Sequence, residues 1–219
     1  MLVAGQDPEV ASLSELTALV NAAFAQASPQ HPSWPDPHPR RSPTDDEYSR
    51  LTNPDRWRIA GARADAWLSA ITQLELAAVG PANPDLWATP PGPVLTRTDL
   101  VVPHARGALP MLIARGRLGD IPDAGVTVGV GDPAALVVSV PDCGRDACDS
   151  GSRDALDELD AHILGVLTGA FRRLTNRTRE ITVIGDGGWS GSGLHRRDDV
   201  TAILANSAGW SELSGTIWL

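Results

Sequence analysis

The sequence predicts an α+β fold: an antiparallel sheet with two main helices packed on one face, plus an N-terminal helix on a Pro-rich connector. Three observations carry that reading. Residues 54–79 and 152–171 repeat apolar side chains at three- and four-residue spacing, the mark of a helix with one buried stripe. Between and after them lie short β-branched runs bounded by Gly and Pro, of which Val126-Thr127-Val128-Gly129-Val130 and Leu136-Val137-Val138-Ser139-Val140 are the clearest. Residues 28–43 break sharply from both patterns, with six prolines among His31, Trp34 and His38. The division that follows is 1–43, N-terminal helix and connector, and 44–219, a single α+β domain.

Taken in order, Ser12-Leu13-Ser14-Glu15 has the form of a capping box, and Leu16, Leu19, Val20, Ala23 and Phe24 continue a helix over 13–27. The Pro-rich segment cannot be helix or central strand and reads as an extended connector pinned by Trp34. Asn53-Pro54-Asp55 supplies a cap, a proline at the first helical position and an acid in the first turn, so a buried helix is expected over 54–79, ended by Gly80-Pro81. Its outer face, with Arg58, Asp65, Gln73 and Glu75, reads as solvated surface. Strands are expected at 94–102, with Arg97 and Asp99 on the wetter side, at 126–130 and 136–140 as a hairpin, and at 180–184. Residues 109–114 fit a short strand or a turn of helix, 200–205 fit either, and 214–219 an edge strand or packed tail.

Composition narrows the function classes. With 219 residues the chain can build one domain with a sizeable core, and its net charge of −9 opposes nucleic acid and anionic membrane as partners. No apolar run reaches 18 residues, and Met1 to Asp7 carries no basic region of a leader, so a cytoplasmic protein is expected. All 18 residues of the Lys and Arg class are arginine, which removes Schiff-base chemistry and the P-loop lysine. Core aromatic mass comes from seven tryptophans against two Phe and one Tyr, and each buried indole is expected to find an acceptor.

The candidate site is the loop Pro141-Asp142-Cys143-Gly144-Arg145-Asp146-Ala147-Cys148-Asp149-Ser150-Gly151-Ser152, which follows the hairpin, opens the second main helix and holds both cysteines. A closed zinc site needs four Cys or His ligands, and a second pair is missing; no metal and no cofactor is expected. A disulfide is opposed by a reducing compartment. A reactive thiolate is favoured by the helix dipole near Cys148, yet Asp142, Asp146 and Asp149 should raise the thiol pKa by repulsion. The plain alternative is that both thiols are apolar plugs under a tight turn at Gly144. A second candidate is the Gly-rich stretch 185–193 around Trp189, followed by His195, Arg196 and Arg197. It lacks the Gly-Lys-Ser/Thr of a phosphate loop and the helix of a dinucleotide fingerprint, and reads as a surface loop. Arg172, Arg173, Arg177 and Arg179 form a basic cluster that would complement a helix C-terminus.

Two stretches together resemble a family of uncharacterised actinobacterial proteins known only as a domain of unknown function. Tyr48-Ser49-Arg50-Leu51-Thr52-Asn53-Pro54-Asp55-Arg56-Trp57 is similar to its Tyr-Ser-Arg-x-Thr-Asn/Asp-Pro-Glu-Arg-aromatic opening, and Cys143 to Asp149 to its Cys-Gly-Cys-Asp-x-Cys-Asp segment. The resemblance covers residues 45 to 205, roughly, and brings no activity with it. Arg145 stands where that family has a third cysteine, which implies that any metal or redox chemistry of the pattern has lost a ligand in this chain.

The expectation is therefore a non-catalytic binding or interaction domain for a protein or small-molecule ligand. Its contact residues would be Cys143, Arg145, Asp146, Cys148, Asp149, Trp189, His195, Arg196 and Arg197. The rivals are a small hydrolase or thiol-dependent enzyme, with Cys148 or His195 acting beside Asp146 or Asp149, and a phosphate or nucleotide binder at 185–193 with Arg196 and Arg197 as anion clamp.

Overall fold

The computed structural model describes residues 12–185, 188–194 and 199–219, and it divides the expected strands between two antiparallel sheets. Helix α1 (Leu13–Ala27) starts as its sequence predicts, with the Ser12 hydroxyl accepting the Glu15 N–H at 3.1 Å. Leu16 and Val20 bury its inner face against α2 (Arg58–Gln73). Asn53 does not cap α2: it adopts a left-handed φ of 51°, and Pro54–Trp57 makes a 3₁₀ turn that feeds the helix. Small residues at Ala60, Gly61, Ala64, Ala66 and Ala70 let neighbours close on α2 from several sides, so most of it is buried.

The first sheet is a meander of β1 (Ala77–Pro81), β2 (Leu95–Pro103), β3 (Met111–Leu118), β4 (Ile121–Val130) and β5 (Ala135–Val140). Val101, Met111, Ile113, Val126 and Val128 belong to the same buried core as α2. On another patch Trp87 lies so close over Gly129 that a Cβ there would sit 2.4 Å from the ring. The helix expected to run to residue 79 stops at Gln73, Glu75 turns left-handed with φ 51°, and Ala77 and Ala78 pair with Pro103 and Val102. Leu74 to Ala78 are good helix formers, but pairing at the sheet edge and burial of Leu76 and Ala77 outweigh a propensity of a few tenths of a kcal/mol per residue, roughly.

Helix α3 (Ser152–Leu167) joins this core and also reaches the second sheet, whose order is β8 (Gly188–Ser192), β7 (Arg179–Ile184), β6 (Phe171–Asn176), β9 (Ser211–Ser214). It ends four residues earlier than the expected 171, Gly169 taking a φ of 69°, because Phe171 and Leu174 bury themselves as strand residues. Arg172 and Arg173 thus lie on β6, paired with Glu212 and Glu180, and do not complement the end of α3; Arg172 does so elsewhere, its Nη1 donating at 2.8 Å to the Leu204 carbonyl in the last turn of the short helix Val200–Ala205. Gly188–Ser192, expected as loop, is an exposed strand on β7. Residues 200–205 form the short helix α4, and the tail buries Trp218. Among the described residues no helix is long and apolar enough to cross a membrane.

The expectation for the indoles holds at Trp34 and Trp67, whose N–H groups donate to Asp149 and Asp160, and fails at Trp57, Trp87 and Trp218. Magnitudes explain this: burying an indole is worth about 5 kcal/mol at about 25 cal/mol per Å², against about 1–3 kcal/mol for an unpaired buried donor.

Candidate functional site

The cysteine loop is anchored at two points by acids that turn inward. Asp146 accepts the Thr52 N–H at 2.7 Å, the Thr52 hydroxyl at 2.6 Å and Arg50 Nε at 2.9 Å. Burial pushes its carboxyl pKa up, but the hydrogen bonds from Thr52 and Arg50 prevail and hold it below the ordinary range. Asp149, whose side chain has no exposure, takes the Trp34 indole N–H at 2.9 Å, Arg56 Nη2 at 2.8 Å and the Gly151 N–H at 2.8 Å. Arg56 lies over Trp34, 5.1 Å from the ring centroid, and Trp34 meets Trp57 edge-on at 5.1 Å.

The Pro-rich segment is stitched to the same place. Trp34 exchanges hydrogen bonds with Ser152 at the start of α3, through N–H to Oγ and Oγ to carbonyl at 3.1 Å each. Glu47 is buried and receives His38 Nε2 at 3.2 Å, two arms of Arg41 at 2.7 Å and the Thr44 N–H at 2.7 Å. Arg41 in particular holds its carboxyl far below the ordinary range.

The loop presents Asp142, Cys143, Arg145, Cys148 and Ser150 outward, all exposed. The thiols are free, not plugs. Hydrogen bonding to Cys143, with burial next, pushes the Cys148 pKa up; of the three acids expected to repel the thiolate Asp142 does so, while Asp146 and Asp149 face arginines. Trp189, half exposed on β8, stands beside Ala161 and His162 of α3 over a hollow of about 280 Å³. At 1.5 Å per residue this is about 15 Å along α3 from the loop, so the two candidate surfaces are separate. His195, Arg196 and Arg197 lie outside the described residues. Among the described residues no three His, Cys, Asp or Glu side chains gather as metal ligands.

A larger feature lies where α1 and α2 part from the ends of β2 and β3, a cleft of about 810 Å³. Its floor is apolar, with Ala23 and Ala27 from α1 and Ala62 and Ala66 from α2, and its far wall is charged. Strand alternation aims Arg115 inward after Met111 and Ile113, and the β2–β3 register sets Arg97 directly opposite it. Two like charges in such a pair repel unless something negative joins them. Asp65 of α2 does so unevenly: its Oδ1 accepts Arg115 Nη2 at 2.6 Å and Arg97 Nη1 at 3.5 Å. Arg97 also leans on Asp99, 2.9 Å away. The Arg115 side chain is only 4% exposed, and its buried Nη1 has no acceptor among the described residues. Burial pulls the Arg115 pKa down against the attraction of Asp65.

Neighbours fix this arrangement. The Thr96 hydroxyl donates to Asp123, and Arg58 Nε donates to the Pro122 carbonyl at 3.2 Å. The Arg115 stem lies against α2 at Gly61, where a Cβ would make ordinary contact, 3.5 Å from Arg115 Cδ and Nε. Arg58, Arg97 and Arg115 against Asp65 and Asp123 give the lining a positive excess on a chain of charge −9. A cleft of this size with a few convergent charges suits a small anionic molecule. Sequence reasoning passed over it, taking Arg58 and Asp65 as solvated surface. The available signal was Arg115, a charge on the inward phase of a strand that opens with four apolar residues, Met111 to Ala114.

Fold and cleft together define a two-sheet antiparallel α+β protein with an arginine-walled groove under its helical layer. The chain belongs to a family of unknown function, DUF6226, whose model matches residues 20–216. The match takes in much of α1 and the whole Pro-rich segment, beyond the stretch that the two sequence motifs covered. No curated protein and no solved structure matches the chain.

Proposed function

We propose that this chain is a non-catalytic cytoplasmic binding protein whose ligand is a small molecule carrying negative charge, seated in the cleft between α2 and the ends of β2 and β3. The observation that carries the reading is Arg115, a buried guanidinium with one nitrogen unpaired, facing a second arginine across two strands. Leaving a buried charge short of acceptors costs several kcal/mol, and an incoming anion removes that cost. Among the described lining residues no hydroxyl or thiol is hydrogen-bonded to a histidine, which supports binding over nucleophilic chemistry. Two exposed free thiols favour a reducing compartment.

Thermal unfolding against a panel of phosphate, citrate and benzoate tests the proposal. A ligand at a hundred times its Kd stabilises by about 2.7 kcal/mol, enough to raise Tm by several degrees. The rise should vanish in Arg97→Gln and Arg115→Gln. Absence of any shift, or a shift that survives both substitutions, overturns it. The exposed Cys143, Arg145 and Cys148 are proposed as a second, protein-facing contact surface. Alkylation of Cys148 slower than that of a free thiol agrees with the raised pKa and with a binding role.

A further inference from the structure

We infer that the ligand is a carboxylic acid with an apolar body, and that Asp65 is its built-in competitor: the acid's carboxylate takes the position between Arg97 and Arg115 that Asp65 now fills. This rests on the anion-binding reading above and deepens it. The first argument is geometric. Asp65 serves both guanidinia through a single oxygen, at 2.6 Å from Arg115 but 3.5 Å from Arg97, so it meets one fork and barely reaches the other. A free carboxylate is not tethered to α2 and can present both oxygens, one to each arginine, in the two-pronged geometry that guanidinium favours.

Asp65 also has somewhere to go. Its side chain is 53% exposed, and with Ser69 and Arg97 it lines both the main cleft and a shallower groove of about 580 Å³ on the other side, bounded by Thr72, Gln73 and Val79. A rotamer change carries the carboxylate from one groove to the other without exposing core.

Charge and shape set the ligand class. The two facing arginines are now joined by one carboxylate, so exchange for another monoanion conserves charge, whereas a dianionic phosphate would leave an excess beside Asp99 and Asp123. The four alanines give a ligand body an apolar surface beside the polar Gln26, His31 and Ser69, and about 810 Å³ accommodates one of drug-like size.

The test is calorimetric titration with 4-phenylbutyrate, its neutral amide and inorganic phosphate, against the wild-type chain and the Asp65→Asn, Asp65→Glu and Arg115→Gln variants. Deleting the competitor should tighten 4-phenylbutyrate by about tenfold or more in Asp65→Asn. Asp65→Glu should stay near wild type, and both Arg115→Gln and the amide should show no binding. Equal affinity in wild type and Asp65→Asn overturns the competitor role while leaving anion binding intact. Phosphate bound in preference to the acid overturns the carboxylate class alone. No binding of either anion to any variant overturns both readings. If Asp65→Asn does not fold, the carboxyl carbon resonance of Asp65 in the labelled wild-type chain decides: displacement moves it, and an unmoved signal at saturating acid overturns the inference.

Discussion

Arg63 and Arg115 are both buried guanidinia, and their difference separates structure from site. Arg63 gives Nε and Nη2 to Asp160, at 2.9 and 2.6 Å, and Nη1 to Asn21 at 2.9 Å, while Trp67 donates to the same Asp160 at 2.6 Å. That group ties α1, α2 and α3 together with every arm satisfied. Asp160→Ala should therefore destabilise by about 3–5 kcal/mol, since it strands a buried cation and an indole N–H at once; urea unfolding measures it. Gly61 makes the opposite prediction. A methyl group there meets Arg115 at ordinary van der Waals distance, so Gly61→Ala should stabilise by up to about 1 kcal/mol through helix propensity, visible as a raised urea midpoint.

Single elements owe their limits to pairing and docking more than to local preference. The strands at 95–103, 135–140 and 179–184, and the second half of that at 121–130, were legible because β-branched alternation suits a half-buried sheet and resembles nothing else. The ends of α2 and α3 were not, because Leu74 to Ala78 and Ala170 to Arg173 carry helix-compatible residues, while the partners of Ala77 and Ala78 at Pro103 and Val102, and of Arg172 and Arg173 at Ser214 and Leu213, lie far along the chain. The Pro-rich segment shows the same limit: composition marked it as extended and pinned by Trp34, but not that Trp34 would close on Asp149 and Ser152, 115 and 118 positions away. Gly151 decides that docking. With φ at 93°, and a would-be Cβ 2.6 Å from the Asp36 nitrogen, it has no room for a side chain. Gly151→Ala should free the segment, and limited proteolysis should then cut within residues 28–43 markedly faster than in the wild type.

At the scale of the whole molecule the candidate cleft was illegible because its wall is assembled from residues 58, 65, 97 and 115, each ordinary in its own segment. The cysteine loop was found from its residue types, yet the direction each acid faces depends on Arg50, Thr52 and Arg56, which sequence order does not place. Those ion pairs also govern the response to acid. Asp146 and Glu47 have folded pKa values below their unfolded ones, so their contribution is complete above the ordinary carboxylate value of about 4 and is lost as pH falls through the lower folded values. The urea midpoint should hold nearly level from pH 7 to about 5 and then fall, and Thr52→Val should reduce that fall by removing one bond that keeps Asp146 ionised. The enclosure of α2 by α1, α3 and the first sheet reaches further still. No partial opening can wet the inner face of that helix without separating layers, so the amide protons of Ala60, Ala64, Trp67 and Ile71 should exchange with solvent only when the entire chain unfolds, and their rates give the global stability directly.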